Sequence, residues 1–309
     1  MSMRILVLGA SGMLGHKVIS HLRAGFAVAG TVRDGEPSPA LQRLLPEIRI
    51  YPNVNAEDTE TLRAAMADWK ADVVVNCIGI VKQAKQASEP LPSIRVNALL
   101  PHELHRLAAE RGARLIHVST DCVFSGRRGP YVEGDTPDAE DLYGRTKLLG
   151  EVCGPGALTL RTSLIGRELH GQRSLIEWFL SQRGSRVCGF ANALFSGLTT
   201  AAAADLLACI IGSHPDLDGV WHASAEAISK YDLLALVNRV YRLGIEIERD
   251  DSVTVDRRLD STRLRSRIGW CPPRWTDMIA DMYAEDAKYD GAKSDGGGRV
   301  RRRVTEDPA

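Results

Sequence analysis

The chain has 309 residues, with 39 lysines plus arginines balanced by 39 aspartates plus glutamates and a hydrophobic content of 44%. That length suffices for a full core, divided into one larger domain and a smaller carboxy-terminal lobe, and the zero net charge excludes an overall field for nucleic acid or an anionic membrane. The six cysteines include no C-x-x-C pair, no zinc-ligand spacing occurs, and no apolar amino-terminal stretch resembles a signal peptide or membrane span; a cytoplasmic protein with reduced thiols and no metal is expected.

In chain order, Met3–Leu8 is a short apolar run that reads as a buried parallel strand. It enters Gly9-Ala-Ser-Gly12-Met-Leu-Gly15 and then an amphipathic stretch over His16–Arg23. Strand, glycine turn and helix in this order suit a dinucleotide: Gly9 permits the turn, Gly12 lets a pyrophosphate approach the backbone, and Gly15 lets the helix pack on the strand. Gly9, Ser11, Gly12, Met13, Leu14 and Gly15 are therefore candidate cofactor contacts. A second strand over Phe26–Val32 ends at Arg33, where an acidic residue would bind the ribose 2′-hydroxyl of NAD. A guanidinium instead suits the 2′-phosphate of NADP, while Asp34 next to it can still serve a ribose, so NADP is favoured and NAD stays open.

Further strands are expected at Ile48–Tyr51, Ala71–Cys77 and Arg114–Ser119, alternating with helices at Asp58–Trp69 and Ser93–Arg111. This is the rhythm of an α/β doubly wound parallel sheet, whose ligands bind beyond the carboxyl ends of the strands. Asn53, Cys77, Ile78, Gly79 and Ser119 join the cofactor candidates on that ground. Thr120 leaves the fifth strand beside Ser119 and can hydrogen-bond a substrate oxygen, or Ser119-Thr120-Asp121 simply ends the strand in a turn. Asn97 falls mid-helix, where it either bonds backbone near the site or is merely exposed. Tyr143 and Lys147 share one helical face through their four-residue spacing, and a phenol beside an ammonium suits proton transfer, with the cation lowering the phenol's pKa.

Together, Gly9–Gly15, Ser119-Thr-Asp-Cys-Val-Phe-Ser-Gly126, Tyr143-Gly-Arg-Thr-Lys-Leu-Leu-Gly-Glu151 and Leu160-Arg-Thr-Ser163 resemble the extended short-chain dehydrogenase/reductase superfamily, and within it the dTDP-4-dehydrorhamnose reductase branch, over roughly residues 3–285. Ile228–Leu234 is similar to the carboxy-terminal lobe of that branch. The resemblance implies a Rossmann-like domain with a smaller, partly discontinuous α/β substrate lobe. It also implies reduction of the 4-keto group of a nucleotide-linked deoxysugar with Thr120, Tyr143 and Lys147 as catalytic residues, Lys147 also orienting the nicotinamide ribose. Lys82, Asp121, Cys122, Arg167 and Ser196 are then substrate candidates. Members of the branch commonly carry tyrosine where Cys122 stands, and the stretch Ile80–Lys85 departs from their usual acid-containing one.

On this reading residues 1–165 form the dinucleotide-binding domain, with returning segments near 190–223, and 166–287 form mainly the substrate lobe. Residues 288–309, glycine-rich and ending near an arginine run, read as a disordered tail. Trp178 and Trp221 are expected in the core. Surface helices are compatible with a homodimer. Two other readings use the same fold: a non-catalytic NADP-binding regulatory subunit resembling the methionine adenosyltransferase beta subunit, and a nucleotide-sugar epimerase.

Overall fold

Ile5–Leu8, Val73–Asn76 and Ala157–Thr162 are buried at every position, the pattern of parallel strands covered on both faces. In the computed structural model, which describes residues 2–290, β1 (Arg4–Leu8) leads to α1 (Gly15–Leu22), β2 (Ala27–Thr31), α2 (Pro39–Leu44), β3 (Arg49–Tyr51), α3 (Thr59–Trp69) and β4 (Val73–Asn76). A helical stretch through α4 (Pro90–Ser93), a π-helical segment Ile94–Leu99 and α5 (Leu100–Ala109) precedes β5 (Arg114–Thr120). Then come α6 (Leu142–Leu149), β6 (Ala157–Thr162), β7 (Leu164–Ile165), α7 (Leu175–Leu180), β8 (Arg186–Phe195), β9 (Leu198–Thr199), α8 (Thr200–Ser213) and β10 (Gly219–His222). The remaining elements are β11 (Ile228–Ser229), α9 (Lys230–Tyr241), β12 (Glu246–Asp256), α10 (Thr262–Ile268), α11 (Trp275–Ala284) and α12 (Ala287–Asp290).

Seven parallel strands form the main sheet in the order β10-β6-β5-β4-β1-β2-β3. One face is closed by α1, α8 and α11 over Val7, Val18, Leu207 and Ile279, the other by α3 and α5 over Leu6, Met66 and Leu104. Because β1 continues to β2 on one side and to β4 on the other, a crevice opens beyond the carboxyl ends of β1 and β4. Of the region 190–223, Gly219–His222 joins the main sheet as β10, whereas the segment up to Phe195 belongs to a separate three-stranded sheet, β11-β8-β12. The side chains of Asp58, Asp141, Thr199 and Ser229 cap α3, α6, α8 and α9.

The single helix expected over Ser93–Arg111 is interrupted, and proline gives the reason. The carbonyl of Asn97 would bond the N–H four residues on, but Pro101 has none, and the helix widens to a π-helical segment at that point. The freed carbonyl lies against the end of α6, where a Cβ on Gly150 would sit 1.9 Å from it; only glycine admits this approach. The carboxy-terminal expectation also shifts. Lys288 and Tyr289 are helical rather than part of a tail, and Tyr289 is buried with its hydroxyl 2.9 Å from His16 Nε2. The rest of the expected tail, 291–309, lies outside the described residues.

Candidate active site

The turn after β1 is shaped by backbone proximity. Gly9 has φ +86°, and a Cβ on Gly15 would stand 2.1 Å from the Gly9 carbonyl oxygen, so α1 starts directly on the turn. His16 holds the turn from inside: its Nδ1 donates to the Gly12 carbonyl at 2.8 Å, and its Nε2 accepts from Tyr289. Burial pulls this imidazole down to about 4. Gly9 and Gly15 thus build the turn, and Ser11, Gly12, Met13 and Leu14 present its outer side to a cleft of about 400 Å³. A backbone turn open to a cleft at a helix start fits a dinucleotide pyrophosphate.

Cys77, Ile78 and Gly79 continue the cleft wall beyond β4, and Ser119, Thr120, Asp121 and Cys122 beyond β5. Burial pushes both the Cys77 and Cys122 thiols up to about 12, so neither is a thiolate at neutral pH. Asp121 is buried and raised above the usual carboxylate range, and it accepts from the Thr120 hydroxyl at 3.2 Å. Asn97, buried in the π-helical segment, brackets the backbone of Ile80: its Oδ1 accepts from Ile80 N–H at 2.8 Å and its Nδ2 donates to Ile80 O at 3.0 Å.

From α6, Tyr143 and Lys147 face the same cleft. Burial raises the Tyr143 phenol above its ordinary value, with Cys122 adding to the rise and the Thr120 hydroxyl partly opposing it. The expectation that Lys147 lowers the phenol's pKa is therefore corrected. The Lys147 amine is turned to the sheet, where it donates to the Val118 carbonyl at 2.8 Å, and burial brings it down to about 8. Lys82 also lines the cleft and pairs with Asp141, the α6 cap, at 3.0 Å.

Residues 3–287 match the model of the RmlD substrate binding domain. The chain belongs to that family. A probable dTDP-4,6-dihydroxy-2-methyloxan-3-one 4-ketoreductase of Streptomyces antibioticus is 29% identical over 248 residues, 78% of this chain and 77% of that one. A probable low-salt glycan biosynthesis reductase of Haloferax volcanii is 35% identical over 172 residues, and the methionine adenosyltransferase 2 subunit beta of Rattus norvegicus 32% over 152; the chain spans about half the length of these two relatives, 54% and 42%. Among solved structures, the dTDP-4-dehydrorhamnose reductase of Bacillus anthracis in complex with NADP superposes with a TM-score of 0.73 at 18% identity, covering 92% of this chain and all of that one. The UDP-glucose 4-epimerase of Thermotoga maritima gives 0.76 at 17%, covering 93% and 99%. At such identities the likeness is one of fold.

In this member of the RmlD family several expected contacts lie elsewhere. Arg167 is buried against Glu177 at 2.7 Å and against Asp286, with its guanidinium 5.0 Å from the Tyr289 ring centroid, so it joins α7 to the carboxy terminus instead of lining the cleft. Ser196 donates to Leu259 O and accepts from Leu259 N–H, beside a separate cavity of about 170 Å³. Asn53 accepts from the Gly35 N–H and shapes the loop after β2. Arg33 and Asp34 are both exposed and paired to each other at 2.7 Å. Ser119 borders the cleft, but its hydroxyl is bound to Glu151 at 2.8 Å. Trp221 is buried and Trp178 packs at the edge of the core.

Lys230 and Arg257 are among the cleft residues that escaped the reading of the sequence. Lys230, the first residue of α9, lies over the Phe195 ring at 4.3 Å, and burial lowers its pKa against the pull of Asp121. Arg257 follows β12 and donates to Phe124 O at 3.2 Å. Both come from the small sheet and its helix, far in sequence from the glycine turn. Lys230 sits inside the stretch Ile228–Leu234, but a lysine at a helix start carries no signal of a cleft wall without the packing of β8 beneath it.

Among the described residues no helix is long and apolar enough to cross a membrane.

Proposed function

We propose that the chain is an oxidoreductase that uses a nicotinamide dinucleotide, NADPH in preference to NADH, to reduce the 4-keto group of a nucleotide-linked deoxysugar. The observation that carries this reading is the convergence of Thr120, Tyr143 and Lys147 on one cleft whose other end is the backbone of Ser11–Leu14. The Streptomyces relative, matched over most of both chains, is named as a 4-ketoreductase of a dTDP-linked sugar, which supports the substrate class.

Ser11–Leu14 would hold the pyrophosphate, Cys77–Gly79 would border the nicotinamide, and Lys147 would serve its ribose. The bound dinucleotide supplies the hydride. Thr120 then holds the carbonyl oxygen on which charge develops, and Tyr143 gives it the proton. The phenol, raised by burial, is protonated at neutral pH and so holds the proton that reduction of the carbonyl consumes. Asp121, Cys122 and Lys82 face the same space and contact the sugar or its phosphates.

The hydroxyl, phenol and amine grouped together distinguish this reading from that of a binding subunit, which needs no proton donor. An epimerase would retain its cofactor through turnover. The deciding experiment is a turnover screen of nucleotide-linked 4-ketosugars with NADPH and with NADH. Stoichiometric NADPH oxidation by cofactor-free protein is expected; binding of NADPH with no oxidation by any ketosugar would favour the regulatory subunit.

A further inference from the structure

Beneath the cleft four groups are joined in a line whose polarity is set from one end. The backbone N–H of Ile78 donates to Asn76 Oδ1 at 3.0 Å. A backbone N–H can only donate, so the amide oxygen is turned toward it and the amide nitrogen faces His117 Nδ1 at 3.1 Å. His117 is buried, and burial, reinforced by the Lys147 charge, keeps the ring neutral at ordinary pH. A neutral ring that accepts at Nδ1 carries its hydrogen on Nε2. That nitrogen lies 3.5 Å from Lys147 Nζ, which in turn donates to Val118 O at 2.8 Å.

An ammonium in this position donates to Val118 O but meets the His117 N–H head-on. A neutral amine accepts from His117 and donates to Val118, so both neighbours are matched. We propose that Asn76 and His117 form a tautomer lock beneath Lys147, which makes His117 a positioning residue that holds the lysine poised between ammonium and amine. The functional meaning of the lock rests on the reading of Lys147 as the lysine of a reductase site. The other ionisable groups acting on Lys147 are Cys77 beyond β4 and Glu151 after α6, both favouring the ammonium. Glu151 is already held by Arg161 of β6 and by Ser119, and His102 of α5 acts on His117. Against the pull of Glu151 and Cys77, burial still brings Lys147 down to about 8.

The test is nitrogen NMR on the full chain labelled at histidine and lysine, with His117 and Lys147 assigned by comparison with H117N and K147R. It needs no turnover, so it can fail or succeed independently of the reductase reading. The wild-type His117 ring is expected to carry hydrogen on Nε2, and Lys147 to titrate near 8. N76D accepts a hydrogen from Nδ1 and reverses the ring; N76L leaves the ring free to reverse. In both, the Lys147 midpoint should rise by about one unit, a tenfold change in its proton affinity. A wild-type ring protonated on Nδ1 overturns the proposal, as does an unchanged midpoint in both variants. A rise confined to N76D also overturns it, because added charge alone then explains the shift. Should neither variant fold, the wild-type tautomer decides.

Discussion

Arg33 Nε lies 2.7 Å from Asp34 Oδ2, so the two residues that follow β2 neutralise one another in solvent beyond the strand. Among the described residues neither is held by a buried partner, and an exposed pair of this kind contributes little to stability. Arg33 is therefore free to exchange Asp34 for a ligand phosphate. Arg33→Ala should weaken NADPH binding by roughly tenfold or more, as expected for a lost charge-assisted hydrogen bond, and leave NADH affinity nearly unchanged. Titration of both cofactors by fluorescence checks this; equal loss for both would remove Arg33 from the 2′-position.

Tyr143 lies beside Thr120, whose hydroxyl acts on its phenol, and burial raises that phenol above its ordinary value. Tyr143→Phe should cut reduction of an accepted ketosugar by about 10²- to 10⁴-fold, the usual worth of a positioned general acid, while NADPH affinity stays within a factor of about two. A variant that loses cofactor affinity in step with turnover would move Tyr143 from proton transfer to binding.

Arg167 and Glu177 form a buried pair away from the cleft. Arg167→Met leaves the Glu177 carboxylate without its principal counter-charge, and stability should fall by about 3–5 kcal/mol in urea unfolding. KM for the sugar nucleotide should not change in protein that remains folded. A raised KM with intact stability would restore Arg167 to the substrate pocket.

His16 supports the cofactor turn in its neutral form. Its folded pKa, about 4, lies below the unfolded value of 6.5, so between these values the unfolded chain binds the extra proton and stability falls as pH drops. The loss is about 3 kcal/mol, complete near pH 4 and absent above about 6.5. His117 and His222, also lowered by burial, act in the same direction. The difference between wild type and His16→Gln isolates the His16 share: chemical denaturation at pH 7 and pH 4 should show the variant losing less by that amount. Identical pH dependence would contradict the assignment.

Most of the sheet was legible because its strands are short buried runs between glycine, helix and turn signals, whereas the order of the strands in the sheet came from the structure. The break at Ile94–Leu99 was less so. Pro101 lies within the stretch read as one helix, but the widened segment also depends on Gly150 of a distant element admitting the Asn97 carbonyl. The strand β12 mixes exposed and half-buried residues without regular alternation and carries five acidic residues, so its pairing with β8 was hidden from pattern alone.

The sequence by itself determined the parallel sheet and the glycine turn, which rest on local periodicity and on the rule that ligands gather at strand carboxyl ends, and its resemblance to a known branch of reductases is what grouped Thr120 with Tyr143 and Lys147. Only the tertiary structure decided which polar side chains face the cleft. Arg167 and Ser196 turned inward to partners more than nine residues away, Ser119 turned to Glu151, and Lys230 and Arg257 arrived from the small sheet. The physical reason is that a polar group leaving water needs a partner, and which partner is nearest depends on long-range packing. The same dependence governs charge. A four-residue spacing put phenol and amine on one face, but burial raised the first and lowered the second, so their protonation belongs to the fold.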